Sequence, residues 1–555
     1  MSATPFRRDA ALARLRDEDF DVLVVGGGVT GCGIALDAAA RGLRTALVER
    51  DDFASGTSSK SSKLIHGGLR YLQQKEYRLV YENLSERQRL LDNAPHLVSP
   101  LPFLIPLFGK NGIAGQGLAK AYSTALWLYD LTGGIRIGKR HRRIGKEEVL
   151  AHMPGLRADR LVAGFLYWDA QADDARLTLT LARTAADHGA TVANYAGVTA
   201  LTKDDGRLVG ATVHPRDGDP FPVVAKVIVN AAGVWADDVR ALAEGHHPHS
   251  LRPAKGIHLT LPRAKLPVDV AAVIPVPGDR RSIFVVPWGD EVYLGTTDTD
   301  YEGPLEDPPV TPEDVSYVLN GINAWVAGTL VPEDVVGAWA GLRPLVRAAT
   351  TERTADLSRR HVVSVDDEGL VSITGGKLTT YRKMAADTVD EVARRLSLSA
   401  LRRSPTRKLR LHGARGSAGL RGPEAAARLG VPEPVLAHLV SRFGAEARTV
   451  AAMVVNRPAL GAPLVPGLPY LRAEAVFSAR YEMVHTLADV LSRRTRALLL
   501  SRDAAAGAAA DTAEVIAADL GWSPAETALQ VAAFRTLAER QRVAAGLPAS
   551  VAVAP

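Results

Sequence analysis

The sequence predicts an α/β fold in which a parallel nucleotide-binding unit is combined with antiparallel sheet and followed by a helical region. The apolar run at residues 20–25 is typical of a buried parallel strand, and it leads through glycines into a small-residue helix at 31–41. A second strand is predicted at 44–49, which completes a βαβ unit. Residues 282–297 read as an antiparallel hairpin with a Gly-Asp turn. Beyond residue 416 the chain is Ala-rich, with apolar residues at helical spacing.

Composition indicates a folded protein of several domains. The chain has 555 residues, of which 46% are hydrophobic and 23% charged. The formal charge of +6 suits anionic small molecules or an anionic membrane surface. The chain contains no long Lys/Arg run of the kind found in nucleic-acid-binding tails, so we expect no nucleic-acid partner.

The cysteine count and the first residues of the sequence indicate the cellular compartment. Cys32 is the single cysteine, which excludes an intrachain disulfide and a cysteine-based metal site, and we expect no metal. The first twenty residues carry eight charges and no apolar core, so no secretory signal is expected. No uninterrupted apolar stretch reaches spanning length. We therefore expect a cytoplasmic protein, either soluble or peripheral on the cytoplasmic face of the inner membrane.

A glycine motif predicts a dinucleotide site between the first two strands. Gly26, Gly28 and Gly31 fill the G-x-G-x-x-G pattern in a strand–turn–helix context. These glycines allow the tight turn, the approach of a pyrophosphate and the packing of helix on strand. The helix N-terminus would supply N–H groups to the phosphates. Glu49 ends the second strand, where an acid can hold ribose hydroxyls; the motif alone does not separate NAD from FAD.

Several blocks, in one order along nearly the whole chain, carry a family resemblance. They are GGGVTG (26–31), LVERDDFASGTSSKSSKLIHGGLRYL (47–72), DDARLTL (173–179), NAAGVWA (230–236), RPAKGIHL (252–259), VPWGDEVYLGTTDTDY (286–301), GLRPL (341–345), GGKLTTYR (375–382) and RYEMVHTLADVLSRRTRA (480–497). With these blocks the chain resembles the FAD-dependent glycerol-3-phosphate dehydrogenases.

The resemblance implies an FAD-binding Rossmann-like domain, an antiparallel-sheet substrate-binding or cap domain of the D-amino-acid and glycine oxidase type, and a C-terminal all-α domain. The expected boundaries are 18–95, 160–255 and 340–398 for the discontinuous FAD-binding domain, 96–159 and 256–339 for the cap, 399–416 for a basic linker, and 417–555 for the helical domain. The linker assignment rests on its Pro, Gly and Arg content.

The expected cofactor is FAD. Gly67 and Gly68 remove side chains where the backbone would lie against a flat ring, and distant glycine bends at 230–233 and 375–377 suit an elongated ligand. The expected FAD-binding residues are Gly26, Gly28, Gly31, Glu49, Thr57, Ser58, Ser59, Ser62, Lys63, Leu64, Gly67, Gly68, Ala232, Gly233, Gly376, Lys377, Leu378 and Thr379.

Glycerol 3-phosphate would need cations for its phosphate and a base for its C2 hydroxyl. The resemblance indicates Arg70, Arg343, Arg359 and Lys377 as the cations, and Arg360 could replace Arg359. His66 and His258 are the candidate bases, and the sequence does not decide between them. Tyr71 and Asp298 are candidates for orienting the substrate or these histidines. Arg343 and Lys377 are also expected to act in catalysis, by favouring the developing alkoxide.

The implied reaction, part of glycerol catabolism, is oxidation of sn-glycerol 3-phosphate to dihydroxyacetone phosphate by hydride transfer from C2 to FAD. The family's implied electron acceptor is a membrane quinone, and a homodimer is expected. Residues 96–130 could contact lipid through Phe103, Leu104, Ile105, Leu107, Phe108 and Trp127, although burial as ordinary core is favoured by two to one on general grounds.

Three alternatives stay open at this point. A soluble oxidase of the same substrate would pass electrons to oxygen and form hydrogen peroxide, although no obvious insertion of the oxidase kind lies between residues 300 and 345. An amine or amino-acid oxidase of the same superfamily would keep FAD and change substrate. A non-catalytic flavin-containing binding protein is the remaining class.

Overall fold

The computed structural model describes residues 6–69, 71, 76–109, 116–279, 281–347 and 361–548. Arg70, Arg359 and Arg360, which the sequence suggested as substrate ligands, lie outside the described residues. The described chain forms two sheets and a helical C-terminal region.

The strands are numbered in chain order. They are β1 (Phe20–Val25), β2 (Thr45–Val48), β3 (Leu64–Ile65), β4 (Val98–Phe108), β5 (Arg142–Gly145), β6 (Leu161–Ala172), β7 (Thr191–Ala193), β8 (Ala196–Asp204), β9 (Arg207–Pro215), β10 (Phe221–Asn230), β11 (Leu251–Pro262), β12 (Ala271–Pro275), β13 (Ser282–Trp288), β14 (Glu291–Gly295), β15 (Thr299–Asp300), β16 (Gly337–Val346), β17 (Val362–Val365) and β18 (Val371–Thr374).

The helices are numbered in the same way. They are α1 (Arg8–Asp17), α2 (Val29–Ala40), α3 (Tyr77–Asn93), α4 (Gln116–Leu131), α5 (Lys146–His152), α6 (Asp174–Asp187), α7 (Ala236–Glu244), α8 (Pro312–Asn323), α9 (Tyr381–Arg395), α10 (Pro423–Leu429), α11 (Glu433–Phe443), α12 (Ala447–Asn456), α13 (Arg472–Tyr481), α14 (Ala497–Leu500), α15 (Arg502–Gly507), α16 (Ala509–Leu520) and α17 (Pro524–Ala544).

The first sheet has the strand order β17-β18-β10-β1-β2-β7. In addition, β9 pairs with β10, and β8 pairs with β9. Strands β18, β10, β1, β2 and β7 are parallel, as the apolar β1 run predicts for strands covered on both faces. Helices α2, α6 and α9 cover one face and share a core with it. The carboxyl ends of the parallel strands therefore form one open edge.

The second sheet has the order β15-β11-β14-β13-β12-β4-β6-β3, with β16 paired to β11 and β5 paired to β6. Its pairings are antiparallel except for β12 and β4, which run parallel. The hairpin predicted around Gly289 and Asp290 is formed by β13 and β14. The register places Trp339 of β16 and Gly295 of β14 on either side of His258 in β11.

The expected domain boundaries cross this sheet. The sequence assigned residues 160–172 and 340–346 to the nucleotide-binding domain, whereas β6 and β16 pair along their length with strands of the second sheet. Strand pairing over many residues is non-local, and the short motifs that set the boundaries do not report it. The division into domains stays a prediction, with these two strands grouped by their pairing.

The C-terminal region packs its helices into two apolar clusters. Apolar residues recur at helical spacing from Phe477 to Leu491, but α13 ends at Tyr481 and a π-helical turn follows at Asp489–Arg494. The side chain of Asp489 accepts hydrogen bonds from the main-chain N–H groups of His485 and Thr486, which holds the intervening turn. α17 begins as predicted, with the Ser523 side chain accepting from Glu526 N.

Candidate functional site

A cavity of about 770 Å³ is lined by the carboxyl ends of the parallel strands and by residues of the second sheet. In open α/β sheets this edge is the usual ligand-binding position. The volume lies in the upper part of the range found for small-molecule and cofactor sites. The cavity extends from Gly26 and Glu49 to His258 and Arg343.

The glycine motif forms the first end of the cavity. Gly26 follows β1 with φ +113°, a conformation that favours glycine, and Gly28 caps α2. Gly31 lies inside α2, where a Cβ atom would come within 1.9 Å of Gly26 O. Gly26 and Gly28 line the cavity, whereas Gly31 acts through this packing.

Glu49 follows β2 and lines the cavity. Its carboxylate accepts hydrogen bonds from Gly27 N at 2.6 Å and from Asp51 N at 2.8 Å. Burial raises the pKa of Glu49 to about 7, against the lowering effect of these two N–H groups. The acid is therefore held beside the glycine turn, as the motif predicts for a ribose contact.

Residues 57–64, which we call the cavity segment, run along the cavity wall. Thr57, Ser58, Ser62 and Leu64 line the cavity. Ser59 and Lys63, which were also expected to bind FAD, are buried and do not line it. The Lys63 ammonium contacts Asp174 and the main-chain oxygen of Ser59 instead. Strand β16 crosses the segment closely, since a Cβ on Gly341 would lie 2.5 Å from Lys60 O.

Gly67 and Gly68 follow this segment and differ in role. Gly68 lines the cavity with φ +81°. Gly67 faces the protein, where a Cβ would lie 2.5 Å from both Leu84 Cδ2 and Tyr129 Oη. Its N–H points to Tyr129 Oη at 3.0 Å and to Asp169 Oδ1 at 3.2 Å. The crowding that requires glycine at Gly67 therefore comes from side chains of the protein.

Distant bends in the chain converge on the same cavity. Ala232 and Gly233 follow β10, and Gly376 follows β18 with φ +84°. A Cβ on Gly26 would lie 2.7 Å from Ala231 O, so the first two bends are in direct contact. Ala232, Gly233, Gly376, Lys377, Leu378 and Thr379 all line the cavity. The structure thus brings together the separated glycine bends that the sequence suggested.

His258 lies on β11, between β14 and β16 of the second sheet, and lines the far end of the cavity. Its Nε2 lies 2.9 Å from Ser62 Oγ, and its ring stacks on Trp339 with centroids 4.7 Å apart. Nδ1 is buried and has no hydrogen-bond partner among the described residues. Burial, together with the positive charges of Lys63 and Arg343, holds the pKa of His258 well below 6.5. The imidazole is therefore neutral at physiological pH.

Arg343 projects from β16 into the same end of the cavity. Its guanidinium donates to Asp298 Oδ1 at 3.0 Å, to Thr296 Oγ1 at 3.1 Å and to Thr297 O at 3.1 Å. A Cβ on Gly256 would lie 2.3 Å from Arg343 Nη2, so the arginine occupies space left by that glycine. The guanidinium group of Arg343 is therefore held in one orientation beside the cavity.

Arg281 is a cavity residue that the sequence analysis missed. It donates to the main-chain oxygen of Asp298 at 3.0 Å and to Asp279 at 2.7 Å. Arg281 and Arg343 therefore both donate to Asp298, one to its main-chain oxygen and the other to its carboxylate. The only local signal was its position just before the β13 strand, and the chain has many arginines in similar settings.

Three more residues that were predicted from the sequence line the cavity: Lys377, Tyr71 and His66. Lys377 Nζ lies 3.9 Å from the centroid of the Tyr71 ring, and both residues line the cavity. His66 also lines it, and its main-chain N–H donates to Thr379 Oγ1 at 3.2 Å. The loop after β18 is thus tied to the chain that follows the cavity segment.

Asp169 and Trp339 are further cavity-region residues that the sequence did not single out. Asp169 lines the cavity and accepts from Tyr129, Arg87 and the Gly67 N–H. Trp339 lies under the His258 ring because of the β11–β16 register. An acid in the apolar β6 run is the one signal that could have identified Asp169.

Two family models match the chain. Residues 21–382 match the family described as FAD dependent oxidoreductase, and residues 404–527 match the C-terminal domain of alpha-glycerophosphate oxidase. The glycine oxidase from Geobacillus kaustophilus has a similar fold, with a TM-score of 0.50 and 21% identity over 68% of this chain and 95% of that one. The predicted fold class is confirmed.

Relatives that match nearly the whole chain identify the family more specifically. The "Glycerol-3-phosphate dehydrogenase 2" of Mycobacterium tuberculosis is 40% identical over 99% of this chain and 93% of its own length. The mitochondrial glycerol-3-phosphate dehydrogenase of Mus musculus is 38% identical over 94% of this chain and 73% of its own. A crystal structure of the Bacillus halodurans glycerol-3-phosphate dehydrogenase complexed with FAD matches with a TM-score of 0.78 and 30% identity over 97% of both chains. The chain belongs to the family of FAD-dependent glycerol-3-phosphate dehydrogenases.

Proposed function

We propose that the chain oxidises sn-glycerol 3-phosphate to dihydroxyacetone phosphate, with FAD reduced to FADH2. The observation that carries the proposal is the meeting of neutral His258 and cationic Arg343 in the cavity that begins at the dinucleotide glycines. An anionic alcohol needs both a proton acceptor and a fixed cation. The names of full-length relatives support this substrate.

The described residues fit FAD. The N-terminus of α2 and the backbone at Gly26 and Gly28 would hold the pyrophosphate, and Glu49 would accept from ribose hydroxyls. The cavity segment and the loop at 375–379 would enclose the ring system, whose flat shape suits the bends at Gly68 and Gly376. Bound FAD supplies the hydride acceptor.

Ser59, Lys63, Gly31 and Gly67 would act through the residues that line the cavity. They were expected to bind FAD directly, but they do not line the cavity. Each contacts or crowds a neighbouring segment instead. We propose supporting roles for these four residues.

Arg343, Arg281 and Lys377 would bind the substrate phosphate. The guanidinium fork of Arg343 is held by Asp298 and the 296–297 backbone, so little conformational entropy is lost when a phosphate binds. Arg281 extends the cation set beyond the sequence prediction. Arg70 and Arg359 stay predictions for the same role.

We assign His258 as the base that takes the C2 hydroxyl proton on an imidazole nitrogen while the hydride leaves C2. It is neutral and buried, and Trp339 fixes the plane of its ring. Protonated His258 would be stabilised by Ser62 Oγ, which contacts Nε2. His66 is the alternative base, and Arg343 would favour the alkoxide character that develops on the oxygen.

The deciding experiment is anaerobic mixing of the purified holoenzyme with glycerol 3-phosphate. The expected result is bleaching of the flavin absorbance, with dihydroxyacetone phosphate formed in equal amount to FADH2. Glycerol and a secondary amine such as N-methylglycine serve as comparison substrates. Bleaching by the amine and not by glycerol 3-phosphate would overturn the assignment.

We propose a membrane quinone as the electron acceptor. Phe103, Leu104, Ile105 and Leu107 are buried in β4 and so cannot contact lipid, in agreement with the favoured reading of that segment. Trp127 and Leu131 of α4 are 52% and 75% exposed. Exposed Trp and Leu on one helix, as here, suit an interface with lipid. Among the described residues, no helix is both long and apolar enough to cross a bilayer.

Two further exposed aromatic residues lie on α3. Tyr77 and Tyr81 are 48% and 53% exposed on α3, and α3 and α4 share one apolar cluster through Leu84 and Tyr129. We define Tyr77, Tyr81, Trp127 and Leu131 as the aromatic surface. We propose that it attaches the protein peripherally to the cytoplasmic face of the inner membrane.

The homodimer stays a prediction, which light scattering coupled to size-exclusion chromatography tests. Peroxide formed under air at the rate of substrate oxidation would favour oxygen over quinone as acceptor.

A further inference from the structure

The cavity segment is held from behind by the C-terminal helical region. Arg496, which is 1% exposed, follows the π-turn Asp489–Arg494. Its Nη2 donates to the main-chain oxygen of Ser59 and, at 3.1 Å, to Asp174 Oδ1. One guanidinium thus joins the helical region to two different elements of the nucleotide-binding part.

Asp174 connects Arg496 to the next residues of the cavity segment. Its Oδ2 accepts from Ser61 N at 3.0 Å and from Ser61 Oγ at 2.6 Å. The ammonium of Lys63 lies 3.3 Å from Oδ1. The carboxylate is fully buried, so its negative charge depends on these partners.

Ser62 lies between these two anchored residues and lines the cavity. Its Oγ contacts His258 Nε2 at 2.9 Å, and its main-chain oxygen accepts from Tyr293 Oη at 2.8 Å. Ser61 O accepts from Trp339 Nε1 at 3.3 Å, and Trp339 is the residue on which His258 stacks. The position of Ser62 Oγ is therefore set by anchors on both sides.

We propose that Arg496 is a positioning residue for the reaction, acting through Asp174 and the cavity segment on Ser62 and His258. The helical region would then complete the active site without contributing a group that touches substrate or FAD. This inference rests on the proposed function, because that function gives Ser62 and His258 their roles. It also assigns a purpose to a region whose sequence gave no functional signal.

The alternative is that Arg496 only stabilises the interface between the helical region and the nucleotide-binding part. Other buried ion pairs join the same two parts of the chain. Arg183 of α6 makes a bidentate pair with Glu446 at 2.6 and 2.8 Å. That pair contacts none of residues 57–64, although Arg183 and Asp174 share one helix. Arg183 is therefore the matched control, because it is a buried arginine of the same interface whose ion pairs, among the described residues, do not reach the cavity segment.

The experiment compares holoenzymes carrying Arg496→Met, Arg496→Lys and Arg183→Met. For each we would measure the melting temperature, the Kd for FAD, the flavin absorbance spectrum and midpoint potential, and kcat and KM per bound FAD. We expect Arg496→Met to lower kcat by on the order of tenfold or more and to alter the flavin spectrum, with a smaller change in KM. Arg496→Lys keeps the charge near Asp174 and should recover part of kcat.

Arg183→Met should lower the melting temperature and leave kcat per bound FAD near the wild-type value. If it lowers kcat as much as Arg496→Met, the inference is wrong, because any loss of interface stability would then suffice. If Arg496→Met does not fold, the comparison of Arg496→Lys with Arg183→Lys replaces it.

A double-mutant cycle tests the path itself. If Arg496 acts through Ser62, the effects of Arg496→Lys and Ser62→Ala on kcat are less than additive; additive effects would overturn the inference. The flavin spectrum and the midpoint potential can be measured without substrate, because dithionite reduces the flavin. Failure of wild-type protein to oxidise glycerol 3-phosphate would therefore remove the proposed function while these measurements still judged the role of Arg496.

Discussion

Ser62 Oγ and His258 Nε2 lie 2.9 Å apart, and this contact joins the cavity segment to strand β11 of the second sheet. The serine reaches the cavity because its neighbours Ser61 and Lys63 turn inward to Asp174. The histidine is held on its other side by Trp339. The contact therefore joins two chain segments that are 196 residues apart.

Replacement of His258 tests the assignment of the base. We expect His258→Asn to lower kcat by about 10²- to 10⁴-fold, because general base catalysis contributes in that range, with a small change in KM. The measurement is the anaerobic rate of flavin bleaching by glycerol 3-phosphate. His66→Asn is the paired variant, and a larger loss with it than with His258→Asn would transfer the role to His66.

The acid limb of the pH profile should lie below the ordinary histidine range. Because burial and nearby cations lower the pKa of His258 below 6.5, the ring stays neutral, and able to accept a proton, as pH falls through 6.5. The rate constant kcat should hold until lower pH and then decline. Lys63→Met removes a positive charge near the ring and should move the decline toward higher pH. A wild-type decline centred at or above 6.5 would contradict the assignment.

Arg343 and Arg281 should govern recognition of the phosphate. Loss of one charge-assisted hydrogen bond costs about 1.5–3 kcal/mol, so Arg343→Met and Arg281→Met should each raise KM for glycerol 3-phosphate by roughly 10- to 150-fold. Glycerol, which lacks the phosphate, is the control substrate. If a variant weakens the reaction with glycerol by the same factor, that arginine does not bind the phosphate.

Replacement of Gly31 tests the role of the glycine motif in FAD binding. Alanine is favoured over glycine in a helix by about 1 kcal/mol, but here its Cβ would meet Gly26 O at 1.9 Å, and a backbone atom cannot move away. We expect Gly31→Ala to yield protein with little bound FAD and a lower melting temperature. Gly328→Ala is the control, because a Cβ there meets no atom within 4 Å. Normal FAD content in Gly31→Ala would count against the glycine motif as the binding element.

The aromatic surface should control membrane attachment. Trp127→Asp with Leu131→Asp should weaken flotation with anionic vesicles and slow reduction of a membrane quinone, while reduction of a soluble dye is kept. Leu529→Asp on α17 is the matched control, since that leucine is 64% exposed and lies in the helical region. Equal flotation of the Trp127/Leu131 variant and wild type would exclude this surface.

The sequence predicted the parts of the fold that depend on short-range pattern. The β1–α2–β2 unit with Gly26, Gly28 and Glu49 lies within 30 residues, and each residue type there has a local physical reason. The hairpin at Gly289 is local in the same sense. For the cavity-lining glycines after β10 and β18, the family resemblance added what no local pattern could supply.

Features that depend on register between distant strands could not be predicted. Trp339 stacks on His258 only because β16 pairs with β11 in one register. Ser59 and Lys63 carry polar groups that could bind a cofactor, yet the Lys63 side chain contacts Asp174, and the main-chain oxygen of Ser59 accepts from Arg496. Phe103 and its neighbours form core because β4 lies between β12 and β6, and no feature of that apolar run distinguishes this from an exposed surface.

The contact between Ser59 and Arg496 spans 437 residues of chain. During synthesis the ribosome releases the glycine turn and both candidate histidines long before it adds that arginine. A partly made chain can therefore gather the nucleotide-binding strands while the wall behind Ser62 is still loose. The anchor behind Ser62 would form only after Arg496 has been synthesised, so the helical region would set the time at which the cavity wall becomes fixed.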